Sequence, residues 1–219
     1  ASGTMTFTTI TEDETNNAGD LVSRLSASAG GDRITDADGD PEGIAITALA
    51  SGNGSWEYSL DGGASWLTIG TVTNASALLL RSTDRVRFVP NAADGTTASI
   101  TFRAWDRKAG TAGTKVSTAS NGGSTAFSTA TESAAITVTA INDAPVIDLD
   151  ADDSSGSTDG NFAAVWVEGA GPKAVVGADA TAFDADNANL VSLTATLLVR
   201  PDGANEVLTA NTAGTAISA

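Results

Sequence analysis

The sequence predicts an all-β chain, an antiparallel β-sandwich followed by a second, incomplete one. Three observations carry this. Short runs in which Thr, Val and Ile alternate with small or polar residues recur along the chain, and helical periodicity is almost absent. Gly, Asn and Asp punctuate those runs. The pattern then begins again after residue 143.

Taken in order, "TMTFTTI" (Thr4–Ile10) alternates and reads as the first strand. "NNAGDLVSRLSAS" (Asn16–Ser28) is the one stretch able to hold a helical turn, and it is read as a loop. Strands follow at Gly43–Ala50, Ser55–Leu60, Ala77–Leu80, Arg85–Pro90, Ala98–Trp105 and Ala134–Ile141. At "INDAPV" (Ile141–Val146) a strand gives way to Asn-Asp, and Pro145 holds the residue before it extended. The boundary divides the chain into residues 1–143 and 144–219.

Beyond it, "NFAAVWVEGAGPKAVV" sets Glu168 after an alternating run, as Glu12 follows the first strand. "FDADNANLVSLTATLLV" sets Asp184 and Asp186 before a long apolar strand, as Asp36, Asp38 and Asp40 precede Gly43–Ala50. The second copy reaches Ala219 with no counterpart of the closing strand. A sandwich in that state has an open edge: either the repeat is truncated at Ala219 or a neighbouring chain fills the gap.

Within the first copy, Ser59–Trp66, "SLDGGASW", fits the S-x-D-x-G-x-[ST]-W pattern of the Asp-box, a hairpin of sialidase propellers. A propeller repeats the motif and this chain has it once, so the motif is read as a turn. Asp61 accepts hydrogen bonds from the turn, Gly62 and Gly63 allow positive φ, and Trp66 folds over it. Trp56, Tyr58 and Trp66 have a rival reading as a platform for sugar rings; the alternative is that they are core.

Charge bounds the partners. The chain carries 11 Lys+Arg against 27 Asp+Glu, a net charge of −16. That disfavours nucleic acid or an anionic membrane surface and suits cations. With no His and no Cys, imidazole or thiolate zinc sites and a Ser-His-Asp triad are impossible. No run approaches the roughly 20 apolar residues that span a bilayer. Paired carboxylates can hydrolyse glycosides, but each acidic cluster here has a better explanation as a calcium ligand set, and no enzyme is expected. Calcium takes six to eight oxygens from carboxylates, amides, carbonyls and water. "DADGD" and "DADN" offer carboxylates at alternate positions of a turning loop. "DLDADDSS" (Asp148–Ser155) is a further acidic run, open to reading as a calcium loop or as solvated linker.

The set "ITDADGDPEGIAIT", "WEYSLDGGASW", "ALLLRSTDRVRFVPNAADGTTASITFRAWD" and "AAITVTAINDAPV" resembles the bacterial cadherin-like repeats of giant secreted RTX-type adhesins. The second segment resembles a neighbouring repeat type in the same proteins. The resemblance implies an Ig/cadherin-like sandwich on the bacterial cell surface or secreted. It implies calcium held at module junctions by Glu12, Asp94, Asn142 and Asp143, with Asp184 and Asp186 of the next module. By the same logic it places Asp36, Asp38 and Asp106 at the opposite end. The expected function is a calcium-stiffened spacer whose partners are neighbouring repeats. The alternative is a filament subunit in which the "TMTFTTI" strand is exchanged between copies of the chain. A glycan-binding module is a third reading.

Overall fold

A computed structural model of the chain describes residues 4–31, 34–36 and 38–210; the end of the second segment, 211–219, lies outside the described residues. Two compact units divide at Asp143/Ala144. The described residues are nearly all β, and none of their helices is long and apolar enough to cross a membrane.

The first unit is two sheets over one core. In chain order its elements are β1 (Met5–Thr6), β2 (Ile10–Thr11), β3 (Asp20–Leu21), α1 (Val22–Ala27), β4 (Gly43–Ala50), β5 (Gly54–Ser59), β6 (Leu67–Thr68), β7 (Ala77–Arg81), β8 (Arg85–Pro90), β9 (Thr96–Trp105), β10 (Lys115–Val116) and β11 (Glu132–Thr139). The larger sheet runs β1-β11-β9-β4-β7-β10, with β2 also on β11; the smaller runs β3-β8-β5-β6. Alternate residues of each sheet point inward. Ile44, Ile46, Leu78, Leu80, Ile100 and Phe102 from one sheet meet Trp56, Tyr58, Val86 and Phe88 from the other. Burying each large side chain contributes about 1.5–3 kcal/mol. The rings of Phe7 and Phe88 flank Trp56, with centroids 4.9 and 5.1 Å away.

The unbroken apolar run of β7 has a physical reason. Leu78 and Leu80 enter the main core, while Ala77 and Leu79 face a second cluster with Ala45, Trp105 and Phe127. The strand is covered on both faces, so alternation disappears.

The stretch read as one strand over Thr4–Ile10 is two short strands. Met5 pairs with Ala134 and Ile10 with Val138, both parallel to β11, so the register slips by one residue between them. The buried positions slip likewise, from Met5 and Phe7 to Ile10. The backbone freed at the slip is caught by the buried Asp20 carboxylate, which accepts the Thr8 N–H at 2.6 Å and its hydroxyl at 2.8 Å.

The region read as a loop holds α1, which corrects that reading. Val22, Leu25 and Ser26 fall on one buried face. No side chain caps the helix; its first N–H groups donate instead to Asp84 and Ser82 carbonyls at 3.0 Å each. A cap supplied by the β7–β8 turn has no local sequence signature.

The second unit contains β12 (Val146–Asp148) antiparallel to β13 (Thr181–Phe183). The strands expected before Glu168 and after Asp186 are not formed, and Val165, Val167, Leu193 and Leu198 are exposed. A strand needs a ladder partner and a face to bury, and these segments have neither among the described residues.

Candidate metal centre

Register fixes where the acids of the first unit lie. Because β1 and β2 run parallel to β11, the chain enters this unit at one end and leaves it at the other. Glu12, just past β2, and Asn142-Asp143, just past β11, are therefore both at the exit end. Their meeting follows from the strand pairing. The Glu12 N–H donates to the Thr139 carbonyl at 3.1 Å. Its Oε1 accepts the Ile141 N–H at 2.6 Å.

Glu12 is 0% exposed, and its Oε2 is buried with no hydrogen-bond partner. A carboxylate oxygen of Glu12 and one of Asp143 lie within 4.8 Å. Leaving a buried acceptor unsatisfied costs about 1–3 kcal/mol, more when it is charged. Two carboxylates so close also repel. Asn142 donates its side-chain N–H to the Asp143 carbonyl at 2.8 Å, which shapes the departing chain. The donors are all hard oxygens, the class that suits calcium or magnesium.

Asp94 belongs to the same end, since Gly95 beside it packs on Ala140. Its carboxylate is exposed and accepts the Asn91 side-chain N–H at 3.1 Å, and it joins no group of three acids among the described residues. Its expected place among the junction ligands therefore has no support in the geometry.

At the entry end, Asp36, Asp38 and Asp40 each bring a carboxylate oxygen within 4.8 Å of the others. Asp36 Oδ1 accepts the N–H groups of Asp38 and Asp40 at 2.8 and 3.3 Å, which closes the loop. Asp106 follows β9 and accepts the Lys108 N–H at 2.8 Å. Lys108 reaches the loop with its ammonium 2.7 Å from Asp40 Oδ1. Sequence reading had singled out the four acids and missed the lysine.

In the second unit, Glu168 is exposed in a turn. Asp184 Oδ1 accepts the N–H groups of Asp186 and Asn187 at 3.0 and 2.9 Å, so the two aspartates share a local turn. A further group joins Asp150 and Asp152 to Asp179, with oxygens within 4.8 Å. Hydrogen bonds from Ser155, then Ser154, hold the Asp150 carboxyl below the usual range. A Cβ on Gly177 would sit 2.6 Å from Asp179 Oδ1 and 3.0 Å from the Leu149 carbonyl, so a larger residue there would push the Asp179 carboxylate from its place. The acidic run flagged Asp150 and Asp152. Asp179 carried no signal, because the β12–β13 pairing that brings it near is a matter of fold.

The aromatic hairpin is built as a turn. Asp61 accepts the Ser65 N–H at 2.9 Å and the Ser59 hydroxyl at 2.7 Å, and the Gly63 N–H donates to Ser59 Oγ at 2.8 Å. These bonds, those of Ser65 foremost, hold the Asp61 carboxyl well below the ordinary range. Trp56 is 2% exposed, Tyr58 is buried, and the Arg87 guanidinium covers Trp66 at 4.2 Å from the ring centroid. The first two rings have no face free for a sugar, which corrects the platform reading.

No family model matches the chain, and no curated protein or solved structure is significantly similar to it.

Proposed function

We propose that the chain is a calcium-stiffened spacer from a bacterial surface or secreted adhesin, with the first unit a cadherin-like sandwich. One observation carries the reading: a fully buried glutamate, Glu12, whose Oε2 has no hydrogen-bond partner and whose carboxylate stands within 4.8 Å of Asp143. Glu12, Asp143 and Asn142 would hold the ion. Calcium would supply positive charge to the paired carboxylates, and backbone carbonyls and water can complete six to eight oxygens.

The chain's own residues do the mechanical work. Glu12 grips the departing segment through Ile141 while its other oxygen waits for a counter-charge. Without one, repulsion between Glu12 and Asp143 pushes the segment outward. With one, the first and last strands are clamped at the point of exit. Entry and exit at opposite ends suit a link in a rod. Net charge of −16 suits a soluble secreted chain in a calcium-rich medium.

The filament alternative has less support. Its proposed donor strand is occupied at home, with Met5, Phe7 and Ile10 buried in the core of their own unit. Scattering and melting profiles in calcium and in chelator test the proposal. Calcium should narrow the distribution of conformations and raise the melting temperature; identical profiles in the two buffers would refute it.

A further inference from the structure

The two ends of the first unit carry similar acids but are neutralised differently. At the exit, Glu12 has an orphan oxygen. At the entry, a cation is already seated: the Lys108 ammonium lies 2.7 Å from Asp40 Oδ1. This contact is built into the strand register. Gly43 pairs with Trp105 at the end of the β4–β9 ladder. Counting three residues outward on each side of that antiparallel pair brings Asp40 opposite Lys108.

The turn that follows β9 is shaped for the task. Arg107 takes a left-handed conformation at φ 63°, unusual for a non-glycine residue. The Lys108 N–H donates to Asp106 Oδ1 at 2.8 Å. The buried Trp105 donates its indole N–H to the Ala109 carbonyl at 2.7 Å, bracing the far side. The result aims one lysine back across the ladder at the loop whose three carboxylates lie within 4.8 Å of each other.

We propose that Lys108 is the tethered counter-ion of the Asp36–Asp40 loop, so that the entry end is neutralised by its own ammonium and takes no divalent cation. A lysine ammonium is charged throughout the neutral range, so the contact with Asp40 is an ion pair. Within the first unit, calcium dependence is thereby confined to the exit. The entry loop keeps its shape when calcium is withdrawn.

Calcium bound per chain, counted by equilibrium dialysis on the full chain, tests this. Asp38→Asn should leave the count at its wild-type value. Lys108→Met should bind one ion more, and Lys108→Met combined with Asp38→Asn should return to the wild-type count. Lys108→Arg keeps the charge and should behave as wild type. Loss of an ion in Asp38→Asn alone would overturn the proposal, as would an unchanged count in Lys108→Met. Because Lys108 is exposed, its replacement leaves the core intact, and melting profiles verify folding of each variant. Failure here is separable from failure at the exit, which is read from Glu12 variants.

Discussion

Replacing Glu12 with glutamine should reverse the order of stability between calcium and chelator. Glutamine keeps the shape of the side chain and can still accept the Ile141 N–H through its carbonyl. It removes the charge at the buried, unpartnered oxygen and places there an amide N–H that can donate toward the nearby Asp143 carboxylate. In chelator the variant should therefore match or exceed the wild type, by up to about 1–3 kcal/mol, the usual penalty for a buried unsatisfied group. In calcium at about ten to a hundred times the dissociation constant, the wild type gains about 1.4–2.7 kcal/mol from one site. At about 2–4 °C per kcal/mol for a unit of this size, that is a rise of about 3–11 °C in melting temperature. Glu12→Gln should show no such rise. Scanning calorimetry in the two buffers reads both effects in one series. An equal calcium-dependent rise in the variant and the wild type would refute the assignment of Glu12.

Three further outcomes are expected. Asp20→Ala strips the acceptor from the Thr8 N–H and hydroxyl; urea unfolding should place the loss at about 1–3 kcal/mol. Phe88→Ala opens a hole beside Trp56, where the ring is 0% exposed, and should destabilise by about 3–5 kcal/mol with little change in the denaturant slope. Asp61 has a native pKa below its unfolded value, so its stabilisation is present above about pH 4 and is lost as pH falls toward the depressed native value. Asp61→Asn should therefore melt below the wild type at neutral pH, with the gap closing on acidification.

The strands were legible where a single residue pattern determined them. Gly43–Ala50 and Arg85–Pro90 have the same limits in the structure as in the sequence reading, because Gly, Asn and Asp interrupt the apolar pattern near both. The helix at Val22–Ala27 was not legible, since its six residues are capped by a distant turn rather than by a local signal. Nor was the one-residue slip at Thr8, which depends on Asp20 being twelve residues away and nearby in space. Repeated D-x-D motifs marked the loop Asp36–Asp40 but said nothing of Lys108, which reaches it only through the β4–β9 ladder. Glu12 was readable as an acid after the first strand. That it is buried and half-satisfied depends on the parallel pairing of that strand with the last one. In the second unit the alternating run before Glu168 and the long run after Asp186 predicted strands, and pattern without a partner was insufficient to make them.

Parallel pairing of β1 and β2 with β11 has a mechanical consequence. Tension applied through Thr4 and Asn142 pulls neighbouring strands lengthwise past each other. The backbone hydrogen bonds between them then share the load and must break together, as in a lap joint, where an antiparallel pair gripped from one end would peel bond by bond. The Glu12 carboxylate bound to Ile141 adds a rivet at the loaded edge.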